Sequence, residues 1–362
     1  MQVTANTTPF LAEVFASTDK HGRKHAVVVV KGTFAVAPDG ETRPAEEQAP
    51  FVYADEHHGD PGTTSIRREC DFVPAKPRAE VLVLGSAIAP DGRPVRELEV
   101  AVAGPGVSKR ALVTGDRVWE EGVRGVQPSP AQPFTEMPLL WERAFGGSDH
   151  SHDRTFLNGT ELRNPVGTGF HLNGARDTIL GRPLPNVERP DPRQSFWSDK
   201  PEPCGFGVVG RGWRPRIGFA GTYDQRWLDE TFPFLPEDFD KRYFQSAPQD
   251  QQLAEIGPGA AFGCLNMNEG GRFVVRVPRV TVPIRFVFDD REEEVAAPEP
   301  DTLILEPGAG RAILLWRASR PLGRKLTALR EVQVGRKRRT VSRGKPRYRS
   351  LAELIAARRP RS

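Results

Sequence analysis

The chain has 362 residues, and its 35 Gly and 34 Pro exclude a helical bundle because both residue types interrupt helices. Hydrophobic residues make up 38% and fall in periodic runs, which argues against disorder, and no run approaches the roughly 20 apolar residues of a membrane-spanning helix. The net charge is +4, but residues 317–362 alone carry +14, so residues 1–316 carry −10, and the protein is an acidic body with a basic tail.

The first predicted elements are strands that end in turns. Residues 26–36 form a near-continuous Val run, which predicts a strand buried on both faces. It ends in Ala37-Pro38-Asp39-Gly40, and the same tetrapeptide, Ala89-Pro90-Asp91-Gly92, follows the apolar run 81–84. Pro and Asp favour a turn and Gly closes it, so both tetrapeptides are predicted to end strands.

A β-meander is predicted for residues 80–119. Leu98, Val100 and Val102 alternate with neighbours that are mostly acidic, which is typical of a half-buried strand. Residues 109–119 are the predicted return partner of this strand.

The middle of the chain, residues 127–248, loses this periodicity and is rich in Pro, Gly and aromatic residues. Two short helices are predicted, at residues 224–230 and 236–244, the second because Pro236 suits a first helical turn. The remainder is predicted to be ordered, irregular loop. Long ordered loops are uncommon and are usually functional.

Strand character returns in the last third of the chain. Over residues 272–288, large apolar side chains at even positions predict one buried face, and these are Val280, Val282, Ile284, Phe286 and Phe288. Three further strands are predicted at residues 302–305, 311–316 and 329–334. A short helix is predicted at residues 351–358.

The predicted fold is mainly β, with antiparallel, sandwich-like strands at both ends of the chain, a loop-rich middle and a few short helices. A β-rich body is predicted for residues 1–316. One intertwined unit and two subdomains, about 1–125 and 126–316, both fit the pattern. Residues 317–362 are predicted to supply the last strand and a basic C-terminal tail.

The cysteine pattern indicates a reducing compartment. Cys70, Cys204 and Cys264 are far apart, odd in number and form no C-x-x-C pair, which excludes a disulfide framework and a cysteine zinc site. Residues 1–10 have neither the basic nor the apolar region of a secretory signal. We therefore expect a cytoplasmic protein.

Metal chemistry has one candidate group. His150 and His152 stand between Asp149 and Asp153, and residues two apart share a face in an extended segment. His150, His152 and Asp153 are therefore the candidate metal ligands, and a metal-dependent hydrolase that uses the group with Asp149 is the alternative function. A polar surface loop is the competing interpretation, because zinc sites need three or four preorganised ligands.

Nucleotide and nucleic-acid binding are weakly indicated. Residues 205–210 match G-x-G-x-x-G, but prolines precede them and Arg211-Gly212-Trp213-Arg214-Pro215 follows, so a glycine-rich turn is predicted. No P-loop, G-x-S-x-G elbow or H-E-x-x-H motif is present. The basic stretch 336–361 has Tyr348 as its one aromatic residue, so a solvated tail is favoured over an acidic protein partner, and that partner over nucleic acid.

Nine short strings carry a family resemblance. They are Asn6-Thr7-Thr8-Pro9-Phe10, Lys31-Gly32-Thr33-Phe34, Gly115-Asp116-Arg117-Val118-Trp119, Trp141-Glu142-Arg143-Ala144-Phe145-Gly146-Gly147, Asn164-Pro165-Val166-Gly167, Pro183-Leu184-Pro185-Asn186, Gly221-Thr222-Tyr223-Asp224, Phe234-Leu235-Pro236-Glu237-Asp238-Phe239-Asp240 and Ala247-Pro248-Gln249-Asp250-Gln251-Gln252. In this order they resemble the bacterial family built on domain of unknown function 2169, over about residues 6–278 with a weaker continuation to 334. Gly257-Pro258-Gly259-Ala260-Ala261 departs from the Gly-x-Glu frequent in relatives, which puts any contact of that glutamate in doubt.

The resemblance implies a function that the composition does not show. Members resemble adaptors or chaperones encoded beside type VI secretion genes. They are thought to load a secreted effector, or its PAAR-type carrier, onto the VgrG spike. No enzymatic activity, cofactor or catalytic residue is generally attributed to them, so the resemblance implies a non-enzymatic binding protein.

Candidate partner-binding residues come from the aromatic content of the middle segment. Interface hot spots favour Trp, Tyr and Arg. The candidates are Trp141, Trp197, Trp213, Tyr223 and Trp227. Ordinary core packing is the alternative for each of them, and we expect at most one or two to lie in an exposed interface.

Overall fold

A computed structural model describes residues 1–123, 125–289, 293–323 and 329–336. This part of the chain is rich in strands and confirms the predicted mainly β class with a few short helices. Within these ranges, no helix has the length and apolarity that crossing a bilayer requires. The predicted helix at 351–358 and the basic tail beyond residue 336 lie outside the described residues.

Thirteen strands lie in the described part of residues 1–138, and the third is the longest of them. They are β1 (Val3–Asn6), β2 (Leu11–Thr18), β3 (Lys24–Val36), β4 (Thr42–Pro44), β5 (Glu56–His57), β6 (Ile66–Arg68), β7 (Ala79–Val83), β8 (Ser86–Ile88), β9 (Glu97–Gly104), β10 (Val107–Thr114), β11 (Trp119–Gly122), β12 (Gly125–Pro128) and β13 (Glu136–Pro138).

Later strands are very short until residue 261. They are β14 (Phe145–Gly146), β15 (Ser148–Asp149), β16 (Gly159–Thr160), β17 (Thr168–Gly169), β18 (Val187–Glu188), β19 (Gln252–Leu253), β20 (Ala261–Leu265), β21 (Arg272–Arg276), β22 (Ile284–Phe288), β23 (Glu294–Ala296), β24 (Pro300–Glu306), β25 (Arg311–Pro321) and β26 (Leu329–Val334). Among the described residues, the α-helices are α1 (Arg176–Ile179) and α2 (Gln225–Glu230). Short 3₁₀ turns occupy Pro90–Gly92, Trp141–Arg143, Thr155–Leu157, Arg216–Phe219, Lys241–Phe244, Gln249–Gln251 and Pro307–Ala309.

The largest sheet combines strands from both ends of the chain. Its seven strands run in the order β19-β7-β24-β25-β3-β2, with β4 paired to β3. Residues 26–30 of β3 have no solvent exposure. Val28 and Val30 pack into the main core, whereas Val29 packs on the opposite face beside Ile313 and Leu315. Both faces of β3 are therefore covered, as the Val run predicts.

Two further sheets share the main core with this one. One has the order β18-β10-β9-β20-β21 and the other the order β1-β26-β22-β23. A single buried cluster includes Val30 of the first sheet, Val102 of the second and Phe286 of the third. The strand β25 runs through residue 316, where the predicted body ends, and β26 continues the structure to Val334. The number of domains stays a prediction.

The predicted meander over residues 80–119 is wrong in its first strand. β9 and β10 pair antiparallel as predicted. β7, however, lies in the seven-stranded sheet, parallel to β24 and antiparallel to β19. Every residue of β7 is buried, and a strand covered on both faces carries no local pattern that identifies its neighbour.

The strand character predicted over residues 272–288 is present as two strands, β21 and β22. Pro278 and Pro283 lie between them, and proline cannot donate to a strand ladder. Of the predicted helix 236–244, the 3₁₀ turn Lys241–Phe244 is present. The other predicted helix is confirmed as α2, which begins after Asp224.

Buried polar side chains attach the irregular middle to the large sheet. Glu80 of β7 has no solvent exposure. Its carboxylate accepts hydrogen bonds from the backbone amides of Ser246 (2.9 Å) and Ala247 (3.1 Å), from the Ser246 hydroxyl (2.6 Å) and from Gln245 Nε2 (2.8 Å), and it pairs with Lys76. Burial raises the pKa of Glu80, but the Lys76 charge and these hydrogen bonds lower it by more, so the carboxylate stays ionised.

Gln251 makes a second attachment to β7. Its side chain is fully buried, and Nε2 donates to the carbonyl oxygens of Val81 (2.7 Å) and Phe206 (2.9 Å). One amide group thereby joins the large sheet to the segment around residue 206. At these points the irregular backbone is paired by side chains, in addition to its own short strand pairs and turns.

We predict that Glu80→Ala lowers the free energy of unfolding by about 3–5 kcal/mol, because Lys76 and two backbone amides would stay buried without their acceptor. Glu331→Ala, on the exposed side of β26, is the matched control and should change stability by less than about 0.5 kcal/mol. Urea unfolding followed by tryptophan fluorescence measures both. Equal losses in the two variants would contradict the role of Glu80.

Candidate partner-binding surface

Asp149 is a structural residue of a loop rather than part of an assembled ligand group. It is buried, and its carboxylate accepts from the backbone amides of Ser151 (2.9 Å), Leu172 (2.6 Å) and Asn173 (3.0 Å). Burial raises the pKa of Asp149, but these hydrogen bonds lower it by more and hold it well below its ordinary value. The carboxylate therefore fastens residue 151 and residues 172–173 together.

The predicted metal ligands are not brought together. His150 and Asp153 are exposed, and His152 is half-buried with its backbone bonded to the Asn158 side chain. Across the residues that the structure describes, no group of three or more His, Cys, Asp or Glu side chains is placed to hold a metal ion.

The G-x-G-x-x-G segment is a packing element. Residues 205–210 have no regular secondary structure and are almost entirely buried. A Cβ added at Gly205 would lie 2.4 Å from the Trp141 ring, and one added at Gly210 would lie 2.7 Å from the Trp213 ring. Both positions need glycine because two indole rings approach the backbone closely.

Three of the five aromatic candidates belong to this internal packing. Trp141 is buried and meets Trp213 edge to face, with ring centroids 5.6 Å apart. Trp197 is half-buried and lies over Gly174, where a Cβ would be 2.4 Å from its ring. The other two candidates, Tyr223 and Trp227, lie together at the surface with their ring centroids 4.8 Å apart.

Tyr223 and Trp227 belong to a larger group that we call the aromatic surface. It comprises the exposed side chains Ile217, Tyr223, Leu228, Phe232 and Phe234, which are between 42% and 62% accessible. The half-buried Trp227 contacts three of these residues, because its ring also meets Phe232 edge to face at 5.6 Å and its Nε1 donates to the Phe234 carbonyl at 2.9 Å. Because exposed apolar groups of this size on one short segment are unusual, this is the candidate partner-binding surface.

Hydrogen bonds hold the backbone under the aromatic surface. Asp224 caps α2 by accepting from the Trp227 amide at 2.9 Å. Asp238 accepts from the Thr222 amide (2.9 Å) and hydroxyl (2.8 Å), and these two bonds lower the pKa of Asp238. Gly221, which directly precedes Thr222, has a φ of +85°, a backbone conformation that favours glycine.

The aromatic surface is also attached to the turn between β2 and β3. The Phe234 ring lies against Gly22, where an added Cβ would be 3.0 Å away, and Lys20 Nζ donates to the Glu237 carbonyl at 2.9 Å. The surface is therefore fixed to the large sheet at a point distant in sequence.

Sequence reasoning missed four members of the aromatic surface: Ile217, Leu228, Phe232 and Phe234. The available signal was the density of large apolar residues in a segment without helical or strand periodicity. Without a regular period, the sequence alone does not indicate which of these residues face the core and which face solvent.

Comparison with known proteins gave one family match. Residues 21–317 match the family described as "Uncharacterized protein conserved in bacteria (DUF2169)". No curated protein and no solved structure matched the chain. The matched span contains the whole aromatic surface and eight of the nine strings.

We predict that Asp149→Ala lowers the free energy of unfolding by about 1–3 kcal/mol, because three backbone amides lose a common acceptor. His150→Ala should leave stability unchanged, because this side chain is exposed. Thermal unfolding and metal analysis by mass spectrometry are run on both variants and the wild type. A stoichiometric ion that is lost in His150→Ala would contradict the structural role and restore the metal site.

Proposed function

The chain belongs to the bacterial DUF2169 family, and from this premise we propose that it is a cytoplasmic, non-enzymatic adaptor of type VI secretion. It would bind a secreted effector or its PAAR-type carrier and assist loading onto the VgrG spike. The observation that carries the proposal is the aromatic surface, a group of exposed apolar side chains on a backbone held by hydrogen bonds.

The chemistry of the aromatic surface suits protein binding. Tyr, Trp and Phe are enriched in the cores of protein interfaces, where their large area is removed from water. A preorganised surface loses little conformational entropy on binding, so more of the contact energy appears as affinity. Ile217, Leu228 and Phe232 extend the group beyond its two aromatic candidates.

The proposed mechanism is stoichiometric. The adaptor binds its cargo, shields an apolar surface of the cargo from water, and releases it at the spike. Addition of a cargo strand to an exposed sheet edge is a second physical route to the same result.

Affinity capture from the native bacterium tests the proposal. We expect a tagged copy of the chain to retain a PAAR-type protein, a VgrG or a toxin at close to one-to-one stoichiometry, as identified by mass spectrometry. Absence of any specific protein while the secretion genes are expressed would contradict the adaptor function.

The double variant Tyr223→Ala, Leu228→Glu tests the surface itself. We expect the captured cargo to fall to about a tenth or less, because a charge and a cavity replace the centre of an apolar contact. Val295→Glu is the matched control, since Val295 is equally exposed (52%) on the edge strand β23. Loss of cargo in the control but not in the double variant would place binding at the sheet edge instead.

A further inference from the structure

A cavity next to the 3₁₀ turn Arg216–Phe219 is lined by many charged side chains. Its volume is about 270 Å³, and its lining includes six basic side chains, which are Lys109, Arg163, Arg189, Arg214, Arg216 and Arg242. Two acidic side chains, Glu202 and Asp250, also line it. Five of the six basic groups lie in ion pairs with described acidic residues, and Arg214 is the remaining one.

The inner basic groups are already neutralised by built contacts. Asp250 lies 2.9 Å from Lys109 Nζ and 3.0 Å from Arg189 Nη2. Arg216 is buried, pairs with Glu69 and donates to the Val209 carbonyl at 2.7 Å. These ion pairs stabilise the walls of the cavity. The mouth of the cavity is formed by other basic residues.

The mouth presents two exposed arginines. The Arg214 side chain has no ion pair and no side-chain hydrogen bond to any described residue. Arg242 pairs with Asp240, and its guanidinium stacks on the Phe219 ring with its central carbon 4.1 Å from the ring centroid. Asp240 occupies the Nε and Nη2 donors of Arg242, so the guanidinium fork that stays open to a further carboxylate is that of Arg214.

The 3₁₀ turn Arg216–Phe219 joins the cavity to the aromatic surface. Ile217 of this turn belongs to the aromatic surface, and Phe219, two residues later, lines the cavity. The Asp240 amide donates to the Phe219 carbonyl at 3.0 Å, which fixes Arg242 beside the turn. An apolar surface and a basic mouth are therefore adjacent on one ordered element.

We propose that this mouth binds an acidic side chain of the protein partner, in a segment whose apolar residues contact the aromatic surface. The inference rests on the proposed function, because it assumes a protein partner. An arginine fork matches a carboxylate in geometry and charge, so the unpaired Arg214 selects Asp or Glu over neutral residues. A long polyanion such as nucleic acid fits less well, since the acidic body repels it and the inner cations are paired.

A peptide-binding measurement tests the proposal directly. The probes are a fluorescein-labelled decapeptide of alternating Leu and Glu, the same peptide with Gln for Glu, and a single-stranded oligonucleotide of equal charge. We expect the Glu peptide to bind about tenfold more tightly than the Gln peptide by fluorescence anisotropy at low salt. Equal binding of the two peptides, or tighter binding of the oligonucleotide, would overturn the proposal.

Charge reversal places the effect at the mouth. Arg214→Glu should remove the preference for the Glu peptide, whereas Arg110→Glu, an exposed arginine on β10, should keep it. Arg214 is unpaired and exposed, so its replacement leaves the buried ion pairs intact. Retention of the full preference in Arg214→Glu would contradict the assignment.

The two proposals fail in different ways. If Arg214→Glu captures cargo from the bacterium as well as the wild type and the peptides show no preference, the acidic-segment proposal falls and the adaptor function stands. If the wild type captures no cargo but prefers the Glu peptide, the adaptor function falls and the mouth is retained as a carboxylate-binding site.

Discussion

The buried carboxylate of Glu80 connects the regular and irregular parts of this protein. It lies in β7, a strand of the large sheet whose residues are all buried, and it accepts hydrogen bonds from the backbone at residues 246 and 247. A buried charge of this kind is tolerable because an ammonium group and four hydrogen-bond donors surround it. The turn Lys241–Phe244 precedes residues 246 and 247 in the chain and connects them to the aromatic surface. Arg216 strengthens the same route, since it donates to the Tyr243 carbonyl at 2.8 Å.

Several of the strings that carry the family resemblance meet one another in the same manner. Asn164 is fully buried and donates to the carbonyl oxygens of Trp141 (2.7 Å) and Phe145 (3.0 Å). Asn186 donates to the Thr114 carbonyl and to Asp116, both at 3.0 Å. These asparagine side chains donate to backbone carbonyl groups that no strand ladder pairs. The hydrogen bonding of an irregular backbone therefore explains why these residues occur in the strings.

The sequence predicts the regular elements well and the irregular ones poorly. The Val run of β3, the hairpin of β9 and β10, and β26 follow from local periodicity and turn chemistry. The parallel neighbour of β7 does not, because a pairing between residues 80 and 302 leaves no mark in either segment. The burial of the aromatic candidates was hard to predict for a similar reason: the buried Trp141 ring packs on Gly205, a residue distant in sequence, and its own segment does not show that contact.

Hydrogen exchange of the chain, alone and with its captured cargo, tests the central claim most directly, namely that the aromatic surface is the ordered face that a partner covers. If a partner covers the aromatic surface, cargo slows amide exchange at residues 217–239 and leaves exchange at the sheet edge β23 unchanged. Slowing at β23 with no change at residues 217–239 would contradict it.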